Sequence, residues 1–379
     1  MTANRENNRS ASKEALTSIP FGSFFFCFIS VFLLALTVKN ADIAIRYMQT
    51  GLRLCAVSVI PSLFPFMVIS ELLVASGIGK LAERLAGRPF SRLFGISGTA
   101  SAAILLGLLC GFPVGAKTTV SLYDKGYITK KEAERLLTVC NVPSSGFLIS
   151  TVGVALFSDR TFGVFLYLAA ILAALLTGVI GRLLSRPQQE IPCHADIKMP
   201  TVGVNTFTSA VSSATRSMLS VCAYVVFFSS LVGCLSHIAD RFALPAAFSS
   251  FLFAFFEISS GANAAATLPN PIVAAVLCGF AVGWSGLSVH FQILTICGER
   301  ELSFVPYFVA KLFQGVTCAV AAFGYTKLFP HLPVFAPPSA PVSLFDDPSF
   351  GLSYAISFFF FLCVILTLRG QRKKSNYQP

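Results

Sequence analysis

Residues 21–38, 218–235 and 350–368 run without a single charged side chain. A helix needs about 20 apolar residues to cross the hydrocarbon of a bilayer. Inside hydrocarbon, every backbone N–H and C=O must be satisfied within the chain, so runs of this length commit to helices. A large soluble core leaves them unexplained. Charged residues are only 12% of the 379, while 55% are hydrophobic and 38 are phenylalanine. Soluble domains carry about twice that charged fraction. The expected fold is an all-α, multi-pass transmembrane helical bundle with roughly eight to ten membrane segments, some broken or re-entrant.

The formal net charge of +11 does not point to nucleic acid, because the basic residues fall in short loops between apolar runs. A positive-inside bias puts them there. Arg369, Arg372, Lys373 and Lys374 predict a cytoplasmic C-terminus, and Lys80, Arg84, Arg88 and Arg92 form a second cytoplasmic-looking cluster. At the other end, Arg5, Arg9 and Lys13 balance Lys39, Arg46 and Arg53, leaving that orientation open. The first run is longer than most signal h-regions and has no convincing A-x-A site after it, so it reads as a retained helix. Eleven cysteines form no CxxC pair and lie mostly within apolar runs. They read as small hydrophobes, so neither disulfides nor a metal site is expected. A lipid bilayer is the first partner implied.

One pattern occurs twice: Leu109-Cys110-Gly111-Phe112-Pro113-Val114-Gly115 returns as Leu277-Cys278-Gly279-Phe280-Ala281-Val282-Gly283. Each copy closes a short apolar run. Glycine-interrupted half-segments at matching places in two halves point to the binding site of a duplicated transporter. Arg53 and Arg216 give a second pair of landmarks, at an offset of 163 against 168 for the heptapeptides. The organisation expected is a disordered polar segment 1–20, a transmembrane helix 21–38 and a first repeat 41–184. A hydrophilic linker 185–203, a second repeat 204–329, a C-terminal transmembrane helix 350–368 and a basic tail 369–379 follow. Segment 41–54 reads as an amphipathic interfacial helix. Thr129 and Glu132 read as a capping box, and Asn141-Val142-Pro143-Ser144-Ser145 as a helix break.

Acidic groups at membrane depth are functional by default. Glu257 follows an apolar run and precedes Ser259, Ser260, Gly261 and Asn263, as a solute- or ion-coordinating acceptor would; a helix-end glutamate is the plainer alternative. Glu71, beside Ser70, either joins a site or pairs with Lys117 or Arg53 to hold helices together. Gly111, Pro113 and Gly115 lead into Lys117, so freed amides and an ammonium sit together, as an anionic or oxygen-rich group would need. A snorkelling lysine is the alternative. In Ser285, Gly286, Ser288, His290 and Gln292 the last three alternate with apolar residues. An extended segment would put those three on one side, and a helix would fan them out. Asn141 and Ser144 mark the first half's polar break, where turn chemistry is a sufficient explanation. Gly111 to Lys117 is not a nucleotide loop, having one residue too few between its glycines. No nucleophile–base pair, metal spacing or phosphate loop is credible. No enzyme activity and no cofactor is expected.

The chain resembles the sporulation integral membrane protein YlbJ family, within the nucleoside-recognition or Gate membrane proteins. The resemblance lies in Pro61-Ser62-Leu63-Phe64-Pro65-Phe66 with Ser70-Glu71-Leu72-Leu73, Gly111 to Lys117, Thr129 with Glu132-Ala133-Glu134-Arg135-Leu136, Glu257-Ile258-Ser259-Ser260-Gly261, and Gly286-Leu287-Ser288-Val289-His290-Phe291-Gln292. Trp284 departs from it, standing where a small residue is usual. The resemblance implies a membrane protein of endospore-forming bacteria needed for spore cortex formation, with two Gate-like repeats. It also implies distant kinship with concentrative nucleoside transporters and with the gate segments of iron transporters. The function expected is recognition of a small polar, nucleoside-like solute near the bilayer midplane. Lys117 and Glu257 would be its charged contacts, with Ser259, Asn263, Ser288, His290 and Gln292 as hydrogen-bonding partners. The other class is a non-transporting scaffold or gate subunit, a homo-oligomer or a partner of other sporulation membrane proteins, docking through the hairpin 117–140.

Overall fold

A computed structural model describes residues 21–77, 81–184 and 203–329. The expectations for 1–20, for nearly all of the linker 185–203 and for 350–379 lie outside the described residues.

Among the described residues every regular element is helical. Helix α1 (Phe21–Lys39) bends by 96° into α2 (Ala41–Leu54), which continues through a π-turn into α3 (Ile60–Ala75). A short α4 (Arg88–Phe94) and α5 (Ser101–Cys110) flank another sharp bend, of 104°. Then come α6 (Val114–Asp124), α7 (Lys130–Val139), the π-helical α8 (Phe147–Leu156) and the long α9 (Arg160–Leu184). Helix α10 (Val204–Arg241) precedes α11 (Ala246–Phe256), α12 (Ile258–Ala266), α13 (Pro271–Trp284), α14 (Gly286–Cys297) and α15 (Val305–Leu328).

Among the described residues four stretches are long and apolar enough to cross a membrane: α9, α10, Pro271–Cys297 and α15; the two bent pairs raise this to six. The expected segments also include shorter and broken helices and the run 350–368, which lies outside the described residues. Several apolar runs are half-length helices that stop at a break, so they do not each make a crossing.

The breaks come in crossed pairs. Between α5 and α6, Gly111 takes φ +79°, and the Phe112 amide donates to the Val142 carbonyl (2.8 Å) in the gap between α7 and α8. A side chain at Gly111 would strike Ser144. In the second half the chain breaks at Glu257, between α11 and α12, and at Ser285, between α13 and α14. A Cβ at Gly286 would lie 3.0 Å from the Glu257 Cα. Helix–break–helix, turn, helix–break–helix, turn, long helix describes 101–184 and again 246–328.

The heptapeptides do not occupy matching places in this layout. The first copy sits at the break before α6. The second lies inside an unbroken α13, where Gly279 and Gly283 face the carbonyls of Cys318 and Gln314 on α15. The expected second break is therefore displaced to Ser285 and Gly286, at φ +71° and +78°. The glycines at 279 and 283 serve close helix packing instead, which small residues permit in membranes. Segment 41–54 is helical, as α2, and turns 96° from α1. It buries Ala44 and Gly51 and packs against α10, with Tyr47 over Gly233 and Gly51 beside Ser229. Small residues on both helices permit this close packing.

The predicted capping box is present: the Glu132 amide donates to Thr129 Oγ1 (3.3 Å) and the Thr129 amide to Glu132 Oε2 (2.8 Å). Below it, α4 to α7 share one apolar core with α14 and α15, through residues such as Phe94, Leu137, Val289 and Tyr307.

Gly115 and Gly324 test the role of close approach. A Cβ at Gly115 would collide with the Cys140 carbonyl, whereas Gly324 in α15 has open space. Gly115→Ala should cost about 3 kcal/mol, and Gly324→Ala should be neutral or stabilising by up to about 1 kcal/mol. Thermal unfolding of the detergent-purified protein reads both.

Candidate functional site

The two crossed breaks expose backbone carbonyls that side chains from other helices then satisfy. At the end of α5, Tyr167 of α9 donates its hydroxyl to the Leu108 carbonyl (2.8 Å). At the end of α11, the Trp284 indole N–H donates to the Phe255 carbonyl (3.0 Å). The end of α7 is the most heavily served. Gln314 Nε2 donates to the Thr138 carbonyl (2.8 Å) and to Thr177 Oγ1 (3.0 Å), and Lys311 Nζ donates to the Asn141 carbonyl (3.1 Å). Lys311 also donates to Gln314 Oε1 (3.0 Å). A freed carbonyl costs roughly 1–3 kcal/mol if buried without a donor, so these contacts keep the breaks affordable inside lipid.

Lys311 is 1% exposed. No ion pair found among the described residues includes it. Next to it, two polar atoms are open. Asn141 Nδ2 donates to the Leu137 carbonyl (2.8 Å), leaving its Oδ1 buried without a partner. His290 pairs Nδ1 with the Tyr307 hydroxyl (2.9 Å), leaving Nε2 buried without one. Its ring stands edge-on to Trp284, at 4.3 Å between centroids, and to Phe308, at 5.2 Å. Lys311 is close enough to His290 to act on it electrostatically. Buried polar groups left open in this way call for an explanation, and a ligand is one.

The other expected residues distribute as follows. Lys117 meets Glu71 at 3.0 Å, one of the two pairings weighed for Glu71, and Ser213 Oγ donates to the same carboxylate (3.3 Å). The Lys117–Glu71 charges meet without an aligned hydrogen bond. They line a shallow pocket with Ser70, Val74, Thr118 and Ser121. Glu257 is 2% exposed, and its two oxygens accept from the Ser259 (3.0 Å) and Ser260 (2.6 Å) amides, capping α12. Lys117 and Glu257 thus have separate partners. Gly261 packs against Ala254, and Asn263 is exposed. Residues 286–297 are helical, so Ser288 and Gln292 share a face and bond to each other (3.3 Å), while His290 points to Tyr307. Ser285, Gly286, Gly111 and Pro113 are buried at the breaks themselves, and Ser144 Oγ accepts from the Phe147 amide (3.3 Å). Lys311, Gln314, Thr138 and Thr177 were missed by the sequence reading. Lys311 carried a signal, as the lone charge between Val305 and Thr326.

Outside the membrane-crossing stretches, Arg300 grips Asp124 through Nε (2.6 Å) and Nη2 (2.5 Å). Donating these hydrogen bonds to the Asp124 carboxylate raises the pKa of the guanidinium above its ordinary value. The Ser303 amide donates to Glu134 (2.7 Å) nearby. These contacts tie the α6–α7 hairpin to the α14–α15 turn.

Comparison with known proteins agrees with this layout. Residues 56–236 match the Gate family, described as nucleoside recognition. The chain is also similar to the sporulation integral membrane protein YlbJ of Bacillus subtilis (strain 168), with 29% identity over 339 residues, 80% of this chain and 82% of that protein. No solved structure matches it. The Gate match covers the first crossed pair of breaks and ends in α10, before the second. Together with the long apolar helices, these likenesses make the chain a multi-pass membrane protein.

Breaking one partner of a mostly buried ion pair strands the other charge. Glu71→Gln should therefore destabilise by about 3 kcal/mol. The double variant Glu71→Leu with Lys117→Met should recover most of that loss in thermal unfolding.

Proposed function

We propose that this chain is a sporulation membrane protein, serving spore cortex formation, that binds a small polar, nucleoside-like solute within the bilayer and carries it across. The observation that carries the reading is the pair of open, buried polar atoms, Asn141 Oδ1 and His290 Nε2, flanking Lys311 among aromatic rings. An acceptor, an imidazole nitrogen and flat apolar faces suit a heteroaromatic solute that has both donor and acceptor edges. The match to the Gate family, described as nucleoside recognition, supports the same solute class, and the likeness to YlbJ supports the sporulation setting.

Within the proposal, Asn141 and His290 contact the solute, with Ser288 and Gln292 behind them on α14. Glu257 holds the first turn of α12, and the Lys117–Glu71 pair holds α6 to α3. The proposal contains no bond-making step. A non-transporting gate or scaffold subunit is the second reading, favoured by the exposed, charged α6–α7 tip at Asp124, Lys125, Lys130 and Lys131.

Purified protein in liposomes, offered a panel of nucleosides, tests both. The wild type should bind and take up at least one member. Asn141→Ala and His290→Phe should each weaken binding about tenfold or more, as loss of one buried polar contact to a ligand does. Each variant also strands a buried partner, the Leu137 carbonyl or the Tyr307 hydroxyl, so unfolding should fall by a few degrees, and binding is compared at a temperature where both variants are folded. Undiminished uptake by both variants removes these residues from the site. Failure of the wild type to bind any nucleoside favours the scaffold reading.

A further inference from the structure

Lys311 stands about two turns into a membrane-length helix, buried, and no carboxylate faces it among the described residues. A bare ammonium at such depth costs several kcal/mol unless dipoles compensate it. What surrounds it is oxygen without formal charge. The Asn141 main-chain oxygen comes from the break that follows α7, and Oε1 comes from Gln314. Gln314 cannot turn that oxygen away, because its amide nitrogen is already committed to the Thr138 carbonyl and to Thr177 Oγ1. The backbone of Gln314 is fixed too, since Gly283 of α13 lies hard against its carbonyl. The carbonyl end of α7 adds roughly half a negative charge from its dipole. The remaining neighbours with titratable groups are His290 on α14, Cys140 after α7, and Cys318 and Tyr307 on α15. None of them is acidic in the carboxylate range.

Unwound carbonyls and the C-terminal ends of half-helices are what membrane transporters use to coordinate a monovalent coupling cation. Here the same kind of oxygen set is occupied by the chain's own ammonium. We propose that Lys311 is a tethered substitute for a bound alkali cation, seated between the broken end of α7 and α15. The crossing of breaks is thereby held together without sodium. As a statement about coupling this rests on the transport reading above: the carrier needs no sodium at this seat. As a statement about the seat itself it needs no solute.

The experiment uses the purified full chain in detergent and reads unfolding temperature in choline, sodium or methylammonium chloride at matched ionic strength. Wild type should unfold at the same temperature in choline and in sodium. Lys311→Ala, which empties the seat, should unfold about 5 °C lower in choline. Sodium or methylammonium should restore at least half of that loss. Lys311→Met, which fills the space with an apolar chain, should be low in all three salts. Sodium-specific stabilisation of the wild type overturns the proposal, as does an alanine variant equally stable in every salt. Should the alanine variant not accumulate, the wild-type comparison decides alone: sodium-specific stabilisation overturns the proposal, and its absence supports it. The nucleoside panel can fail without affecting any of these outcomes, because no solute enters the measurement.

Discussion

Everything in this structure depends on how the membrane interior treats an interrupted helix. Each break frees carbonyls at one helix end and amides at the next, and lipid offers them no partner. The protein meets that requirement from outside the interrupted helix. Tyr167, Trp284, Gln314, Thr177 and Lys311 each reach a carbonyl at the end of α5, α7 or α11. Four of the five come from continuous stretches of regular helix, and Trp284 ends one. The uninterrupted helices therefore act as scaffolding for the broken ones, and the broken ones carry the polar groups at their interruptions.

Close approach is the second half of the same solution. A side chain can satisfy a carbonyl on a neighbouring helix only if the backbones come near, and glycine permits that. Gly107 and Gly115 both face the Cys140 carbonyl, drawing α5 and α6 onto the break after α7. Gly279 and Gly283 draw α13 onto α15 at Cys318 and Gln314, next to the residue whose amide serves the Thr138 carbonyl. The duplicated Leu-Cys-Gly-Phe pattern thus has one consequence in both copies, which is contact with a carbonyl, although only the first copy also interrupts a helix.

This explains which parts of the molecule were legible in the sequence. The breaks at Gly111 and Asn141 and the helix end at Glu257 announce themselves through glycine, proline and capping chemistry, all of which act over a few residues. The capping box at Thr129 and Glu132 is of the same local kind. The groups that satisfy those breaks have no local signature. Tyr167 lies 59 residues from Leu108, and Gln314 lies 176 from Thr138. Their roles arise only when the helices are side by side. The likeness of the two heptapeptides misled for the reverse reason: six shared letters of seven fix a packing surface, not the backbone dihedrals, which in α13 are decided two residues later at Ser285. Trp284, a departure from the family pattern, acquires its reason only from the fold, as the donor to Phe255.

The placement of charge follows from the same dipoles and limits how the protein can move. Glu257 is an anion at the N-terminal end of α12, and Lys311 is a cation at the C-terminal end of α7, each at the helix end of opposite sign. Among the described residues neither is neutralised by a counter-charge, so each relies on the helix end in front of it. Separating α15 from α7 would leave the ammonium facing lipid or protein without its carbonyls, and unwinding α12 would do the same to the carboxylate. Both steps carry the penalty of an uncompensated buried charge, several kcal/mol each. On the proposed transport reading, alternating exposure of a solute site would come at lower cost by rocking whole groups of helices. Helices α7, α13 and α15 would travel together, and the strain would fall on the exposed ties at the rim. The Asp124–Arg300 pair is such a tie: it is partly open to water, where making and breaking an ion pair changes the free energy by roughly 1 kcal/mol or less.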